Sequence, residues 1–326
     1  MGNRREDYIR KKNTTVMIVL GIALIAIFFA SSDFGTGLFE RLFGEKQAQA
    51  EIRPVVSPKN GEKLQVYYLD IGQGDCEFIR IPKDDGTYFN MLIDSGEYQE
   101  REKLLSFLKK EEITRLDAVV VTHPHSDHMG SMATVIRDFE IGAFYMSQFE
   151  AQFTPTTVSY EKMLDALTEK NLKITVLKAG DMIPVTPAAA INVLSPIGGK
   201  QYTGLNEYSI ILKLVYGDSS FLFTGDAQIE AFSQLTNAGY HPDADILKVG
   251  HHGSADATNG EILDAVTPKI AVISCGDDND YGHPHKEVLG LLEKYNCRIF
   301  RTDQDGTVLI ETDGKTEPVV TTEKNK

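Results

Sequence analysis

The sequence predicts a layered α/β domain, with helices outside its sheets, that follows a single apolar helix. Strand and helix patterns alternate from Lys63 to the last predicted strand, Thr307–Glu311. Several predicted strands, such as Leu116–Val121, are continuous apolar runs, which are typical of sheets covered on both faces. Since 42% of the 326 residues are hydrophobic, the chain can bury a core, and disordered or collagen-like classes are excluded.

The apolar helix is predicted from Asn13 to Ser32, a run of twenty residues without charge. About 20 such residues cross the hydrocarbon of a bilayer. Five basic residues precede the run and none follows before Arg41, so the positive-inside rule places the first twelve residues in the cytoplasm. We therefore expect a single-pass protein of the cell membrane with a cytoplasmic tail (1–12), a transmembrane anchor (13–33), a polar linker (34–62) and an extracellular domain (63–326).

Two other interpretations of this segment remain. A cleaved signal peptide would end at Ala48-Gln49-Ala50, but that small-x-small site lies well past the apolar run. A buried core helix is the second alternative, although such helices usually have shorter apolar runs. The length of the run favours the uncleaved anchor.

The charge balance bears on the partners of the exported part. Beyond residue 51 the chain has 26 basic and 41 acidic residues, a net charge of −15. Because basic surfaces drive nucleic-acid binding by releasing counterions, this balance argues against tight non-specific DNA binding, although it allows a small basic channel. No obligate protein partner is predicted.

The three cysteines form no C-x-x-C motif, and we expect core or loop thiols, with a Cys275–Cys297 pair as the alternative.

The predicted elements alternate along the chain, and a Gly-rich turn at Asp70–Asp75 joins the first two strands in a hairpin. The first half contains strands Leu64–Leu69, Cys76–Ile81, Tyr88–Ile93, Leu116–Val121, Ala143–Met146 and Ile174–Leu177, and helices Lys103–Leu108, Met129–Phe139 and Tyr160–Asn171. The second half contains strands Ile191–Leu194, Ser209–Tyr216, Ser220–Thr224, Ile246–Val249, Ile270–Ser274, Arg298–Phe300 and Thr307–Glu311, and helices Ala227–Ala238, Glu261–Val266 and Lys286–Asn296. Such alternation indicates helices packed on the faces of sheets.

Four potential metal ligands follow the strand Leu116–Val121 within six residues: His123, His125, Asp127 and His128. The carboxyl end of a buried strand is where open α/β sheets place ligands. His123 and His125 project to the same side of an extended segment, whereas Asp127 and His128 turn into the next helix. Neutral imidazole and carboxylate are ligands of zinc and similar ions, so this cluster predicts a metal site rather than a solvated loop.

Further donors come after other predicted strands. Asp226, the pair His251-His252 and His283 each follow such a strand, in the last case through a longer loop. One ion needs three or four ligands, so a second ion would require donors of this kind from elsewhere in the chain. Lys248, which ends a strand just before His251, is expected to be solvated.

These motifs resemble a known family. The pattern His123-x-His125-x-Asp127-His128, with Gly225-Asp226 and His251-His252-Gly253-Ser254, resembles the metallo-β-lactamase superfamily. The Asp70–Asp75 turn, Tyr281-Gly282-His283-Pro284 and the ending Arg301–Gly306 are more narrowly similar to the ComEC/Rec2-type competence hydrolase domain. The resemblance covers about residues 64–313. It implies an αββα metallo-β-lactamase sandwich with two divalent metal ions, Zn or Mn, at one edge.

The resemblance also implies roles for single residues. His123 and His125 would hold metal one, Asp127 and His128 metal two, and Asp226 would bridge them. His252 or its neighbour His251 would complete metal two, with His252 preferred. Asn206 stands where many relatives have a third histidine for metal one, so that ion is expected to be weakly held. Asp94 and Asp70 are expected behind the ligands, with Asp94 orienting the histidines. The alternative for Asp70, and equally for Asp75, is that they only shape the Gly-rich turn. The predicted catalytic residues are Asp127, His251 and His283.

The predicted activity is metal-dependent hydrolysis. Two divalent ions about 3.5–4 Å apart lower the pKa of a shared water molecule to near neutrality, and the resulting hydroxide attacks the substrate in line. A phosphodiester fits this chemistry best, either in nucleic acid such as DNA or in a cell-envelope phosphoester. The alternatives are a β-lactam or ester hydrolase and a catalytically silent metal-binding module.

Overall fold

The computed structural model describes residues 53–54, 56–59 and 61–324. The predicted cytoplasmic tail and transmembrane anchor lie outside these residues, so the anchor, its topology and the domain boundaries stay predictions. No helix in the described ranges is long and apolar enough to span a membrane.

The strands form two mixed sheets. The first contains β1 (Leu64–Tyr68), β2 (Glu77–Pro82), β3 (Tyr88–Ile93), β4 (Arg115–Val121), β5 (Glu140–Ser147), β6 (Ile174–Leu177), β14 (Val308–Thr312) and β15 (Val319–Thr322), in the order β15-β14-β1-β2-β3-β4-β5-β6. The second contains β7 (Met182–Ile183), β8 (Ala189–Ser195), β9 (Ile211–Tyr216), β10 (Ser219–Phe223), β11 (Ile246–Lys248), β12 (Ile270–Ile273) and β13 (Arg298–Arg301), in the order β13-β12-β11-β10-β9-β8-β7.

The helices cover the outer faces of the sheets. They are α1 (Arg101–Lys110), α2 (Ser126–Met129), α3 (Met132–Asp138), α4 (Val158–Glu169), α5 (Ile229–Asn237), α6 (Gly260–Val266), α7 (Lys286–Lys294) and α8 (Thr302–Asp305). Buried residues of α1, α3 and α4 pack on the first sheet, and those of α5, α6 and α7 pack on the second. Between the sheets lies a third apolar layer that includes Tyr68, Val120, Leu212 and Phe221. The resulting order of layers is αββα, which confirms the predicted sandwich.

Most predicted elements are present, and the predicted hairpin is confirmed, since β1 and β2 pair antiparallel. The single helix predicted over Met129–Phe139 is instead two, α2 and α3, separated at Gly130 and Ser131. Three short elements, β7, α8 and β15, were not predicted because two to four residues carry too little periodicity. The alternative Cys275–Cys297 disulfide is absent, and both thiols are free.

Candidate metal centre

The predicted ligands converge at one edge of the sandwich, where strands of both sheets end. In the first sheet, the parallel strands β3 and β4 lead into Asp94 and the loop His123–His128. In the second sheet, the parallel strands β10 and β11 lead into Asp226 and the pair His251-His252. Because the carboxyl ends of parallel strands lie at one edge, side chains that are distant in sequence become neighbours here.

The loop His123–His128 turns directly into α2. His125 has an extended backbone, and its carbonyl oxygen accepts hydrogen bonds from the backbone N–H groups of His128 and Met129, at 3.1 and 3.0 Å. The Nε2 atom of His123 lies 2.9 Å from the Nδ1 atom of His125. The change from extended chain to helix brings the His128 ring back beside the His123 ring, with the two ring centroids 4.2 Å apart.

Four side chains form a cluster that we call group A: Asp127, His128, Asp226 and His252. Their candidate ligand atoms all lie within 4.8 Å of one another. Asp127 Oδ2 is 3.1 Å from His252 Nε2, and Asp226 Oδ1 is 3.2 Å from His128 Nε2. His128, Asp226 and His252 are buried, so solvent has access to group A mainly past Asp127.

Three side chains form a second cluster, group B: His123, His125 and Asp226. Asp226 belongs to both groups, because its Oδ1 atom faces His128 while its Oδ2 atom lies 3.7 Å from His123 Nε2. This is the placement expected of a bridging carboxylate. His123 is buried, whereas His125 is partly exposed.

The chemistry of both groups fits divalent cations. His128 Nε2 and Asp226 Oδ1 are buried atoms without a hydrogen-bond partner. Leaving such atoms unpaired is costly, and a cation placed between them would satisfy both. Imidazole and carboxylate are also the donors that zinc and similar ions take. Groups A and B therefore fit two cations that share Asp226.

The carboxylates and imidazoles perturb one another's pKa values. Burial acts to lower the pKa of His128, but Asp226 and Asp127 outweigh it and raise that pKa well above its ordinary value. The pKa of His252 is raised to about 10 against the effect of burial, chiefly by Asp226 and Asp75. The carboxylates around both imidazoles therefore favour positive charge at this position, which is the charge that a bound cation would supply.

Asp94 lies directly behind His128, as the resemblance implies. It is fully buried, and its Oδ2 atom is 2.8 Å from His128 Nδ1. The same carboxylate accepts hydrogen bonds from the backbone N–H and the hydroxyl of Thr122, at 2.8 and 2.6 Å. Asp94 is thereby fixed by the start of the histidine loop and can orient the His128 ring.

Asp70 does not stand behind the ligands, and the sequence prediction is corrected here. Its carboxylate pairs with Lys324 at 3.3 Å and is partly exposed. Asp75, at the other end of the same turn, approaches group A, with Oδ1 3.1 Å from His252 Nδ1. The reason is that the Asp75 backbone N–H donates to the carbonyl oxygen of Asp127 at 3.1 Å. A Cβ atom on Gly74 would lie only 2.2 Å from that oxygen, so this approach requires glycine.

The consecutive histidines His251 and His252 point in different directions. Both have positive φ angles, 49° and 54°. The His252 ring is buried and faces group A, which agrees with the preference for His252 over His251 as a ligand. The His251 ring is partly exposed, with Nδ1 3.1 Å from Asp256 Oδ1 and Nε2 3.7 Å from Asp226 Oδ2. His251 therefore borders group B from the open side.

Asn206 and His283 both lie beside His251. Asn206 Nδ2 is 3.4 Å from His251 Nε2, and its Oδ1 atom is buried without a hydrogen-bond partner. His283 has a buried, unpaired Nδ1 atom, and its pKa is lowered to about 4 by burial and then by His252. The neutral His283 ring stacks against Tyr281, with centroids 5.6 Å apart.

An open cavity of about 360 Å³ exposes parts of both groups to solvent. Its walls are formed by Gln73, Glu97, His125, Ser126, Asp127, Asn206, Asp226, His251, His252, Tyr281 and His283. Tyr281 is 67% exposed at the rim, an unusual position for an aromatic ring. Of the two aspartates in the Gly-rich turn that the sequence offered, Asp75 is the one that contacts His252. The sequence did not single out Gln73 and Glu97 for the cavity wall, since neither belongs to the histidine motifs.

Comparison with known proteins decides the family. Residues 70–277 match the Metallo-beta-lactamase superfamily. The chain belongs to this superfamily. Its members bind divalent metal ions, typically two, and its fold is that of metal-dependent hydrolases. Within the superfamily, similarity to competence proteins makes this a ComEC/Rec2-like domain, in agreement with the motifs.

The relatives are larger proteins. The chain is 34% identical to ComE operon protein 3 of Bacillus subtilis (strain 168) over 261 residues, which cover 75% of this chain and 32% of that protein. It is 27% identical to competence protein ComA of Neisseria gonorrhoeae, covering 78% and 33%. The chain thus spans about a third of the length of these curated relatives. Among solved structures, CmlA, a diiron beta-hydroxylase from Streptomyces venezuelae, is 15% identical with a TM-score of 0.48, covering 75% of this chain and 53% of that one.

Proposed function

We propose that this metallo-β-lactamase superfamily member is a hydrolase of phosphodiester bonds, anchored in the cell membrane with its catalytic domain outside the cell. The observation that carries the proposal is Asp226, whose two carboxylate oxygens face group A and group B separately. Divalent ions held by these groups would lower the pKa of a water molecule and stabilise negative charge on phosphoryl oxygens. Either zinc or manganese would serve this chemistry.

The chain's own residues bind and position the substrate. Asp127 is the member of group A that is most open to the cavity, so it would both hold a cation and face the reacting phosphate. His251 is oriented by Asp256, and its Nε2 atom points toward Asn206 at the cavity wall. His283 lies in the same wall, with its ring stacked against Tyr281 at the rim. We assign His251 and His283 to contacts with phosphoryl oxygens.

The rim of the cavity bears on the substrate class. Tyr281 presents an exposed aromatic face beside the two groups, and aromatic side chains of this kind stack on nucleobases in proteins that bind single strands. The relatives named as competence proteins also support nucleic acid. The net charge of −15 beyond residue 51 favours a small substrate or a cell-envelope phosphoester instead. We propose nucleic acid first and an envelope phosphodiester second.

Hydrolysis of bis-p-nitrophenyl phosphate tests the proposal. The full-length chain, purified in detergent, should release p-nitrophenol when Mn²⁺ or Zn²⁺ is added, and EDTA should stop the reaction. Asp127→Ala should abolish the release because it removes a group A ligand at the cavity. A matched control is Asp218→Ala, at an exposed aspartate outside both groups, which should keep both the metal content and the hydrolysis. Metal binding without cleavage, with no difference between wild type and Asp127→Ala, would support the silent module.

A β-lactam or ester hydrolase is the remaining enzymatic alternative. Parallel assays with a chromogenic cephalosporin and p-nitrophenyl acetate distinguish it from the phosphodiesterase. We expect cleavage of the phosphodiester alone.

A further inference from the structure

A fully buried ion pair lies behind group A. Lys248, the last residue of β11, has no exposed surface, and its Nζ atom is 2.7 Å from Asp75 Oδ2. Asp75 is 1% exposed. Lys248 Nζ also donates to the backbone carbonyl oxygen of Val249 at 3.0 Å. The solvated strand end that the sequence suggests for Lys248 is therefore wrong.

The pair is in contact with a candidate ligand. Asp75 Oδ1 lies 3.1 Å from Nδ1 of His252, a nitrogen that also lies 3.0 Å from the backbone oxygen of Ser274. The other ring nitrogen of His252 faces Asp127 at 3.1 Å. Lys248, Asp75 and His252 thus form a chain of contacts that leads from the core into group A.

The energetics of this pair call for a role beyond stability. Burial of an ammonium and a carboxylate costs several kcal/mol per ion, and apolar residues of similar volume often stabilise a protein as well or better. An ammonium behind a cation site also repels the cation. A second buried lysine, Lys213, instead pairs with the exposed Asp243 at 3.0 Å. Lys248 differs because its carboxylate partner touches a group A imidazole.

We propose that Lys248 and Asp75 are positioning residues for metal binding. Lys248 fixes the Asp75 carboxylate, and Asp75 holds the His252 ring with Nε2 toward Asp127 and Asp226. The Nδ1–H group of His252 donates to the Ser274 carbonyl oxygen, and the Asp75 carboxylate is a charged neighbour of the same nitrogen. Partners of this kind behind a metal-binding imidazole fix the ring orientation and its tautomer. The inference rests on the proposed metal-binding function and adds two residues that lie outside the ligand set.

Lys248→Met tests this inference because it keeps the length of the side chain and removes its charge. Mn²⁺ binding to the full-length chain in detergent is measured by calorimetry, and thermal unfolding is measured without added metal. The tighter binding step should weaken about 10- to 100-fold, the usual effect of removing a partner behind a ligand. The matched control is Lys213→Met, which also removes a buried lysine of the second sheet. It should leave the Mn²⁺ affinity unchanged even if it lowers the melting temperature.

A double variant separates positioning from stability. Lys248→Met and Asp75→Leu each leave one buried group without its charged partner, so each should lower the melting temperature. The double variant removes both charges and should recover part of that loss. It should not recover Mn²⁺ affinity, because the contact that orients His252 is still missing. Recovery of both quantities together would mean that the pair is only structural.

Other outcomes overturn the inference directly. If the Lys248→Met variant folds and binds Mn²⁺ as tightly as wild type, the His252 ring does not need the Lys248–Asp75 ion pair to be oriented. Tighter binding shows that the ammonium acts only by repelling the cation. If the wild-type chain binds no Mn²⁺, both this inference and the proposed function are overturned. If the wild-type chain binds Mn²⁺ in two steps and Lys248→Met binds it equally well, only this inference is overturned.

Discussion

Groups A and B share one carboxylate but differ in how they are built. Group A has four donors, and its two imidazoles have partners on their far side, Asp94 for His128 and Asp75 for His252. Group B has three donors, and one of them, His125, is partly exposed. Because affinity rises with the number and rigidity of donors, we expect the two groups to bind cations unequally, with group A the tighter.

The difference has an identifiable origin. Group A takes its fourth donor, His252, from the loop after β11. At the comparable place beside group B stands Asn206, the first residue of a 3₁₀ turn that extends to Tyr208. An amide oxygen is a poorer zinc ligand than an imidazole, although it suits manganese. The side chain of Asn206 therefore accounts for much of the difference in cation affinity that we expect between groups A and B.

The largest effect is expected from Asp226→Ala, because it removes the donor that both groups share. Metal content measured by atomic emission should fall from two ions toward none. A bound cation contributes several kcal/mol to transition-state stabilisation, and each 1.36 kcal/mol is a factor of ten, so phosphodiester hydrolysis should fall at least about 10³-fold. Asp218→Ala, at an exposed aspartate outside both groups, is the control. Two retained ions in Asp226→Ala would contradict the shared-ligand arrangement.

Single-ligand variants should distinguish the groups. Asp127→Asn should weaken only the tighter Mn²⁺ step, and His125→Asn only the weaker one, each by at least about 100-fold, since removing even a partner behind a ligand costs 10- to 100-fold. Calorimetric titration resolves the two steps. If both variants affected the same step, groups A and B would have to be merged into one site.

Asn206→His should reduce the difference in cation affinity between groups A and B. It supplies group B with a third imidazole, and the weaker Mn²⁺ or Zn²⁺ step should tighten about tenfold, equivalent to about 1.4 kcal/mol. Asn206→Ala is the control for lost contacts with His251 and should not tighten binding. A histidine variant without any gain would show that His251 or solvent already completes group B.

The smallest effect is expected from Tyr281→Ala, which changes the cavity rim and neither group. Both metal-binding steps should be unchanged. The KM for a single-stranded oligonucleotide should rise about fivefold or more, since a stacked base contributes about 1–3 kcal/mol. Tyr281→Phe should retain the wild-type KM. An unchanged KM in Tyr281→Ala would favour the envelope phosphodiester over nucleic acid.

The sequence predicts the candidate metal ligands better than it predicts the residues that position those ligands. The αββα layers and the loop His123–His128 could be predicted because long apolar strands and clustered donors have strong local signals. The contacts of Asp75 and Lys248 could not, because their roles arise from a turn and a strand 173 positions apart in the chain. Asp70 and Asp75 look equivalent in the sequence, and only the backbone contact with Asp127 distinguishes them.

The absence of a side chain at Gly74 has a consequence for the thermodynamics of cation binding. With no atoms between the turn and the carbonyl oxygen of Asp127, the two segments are in direct backbone contact, so the turn and the helix start cannot shift independently. The pocket is therefore preorganised. A preorganised receptor loses little conformational entropy on binding, and the heat of ion uptake should reflect ligand exchange rather than refolding of the chain.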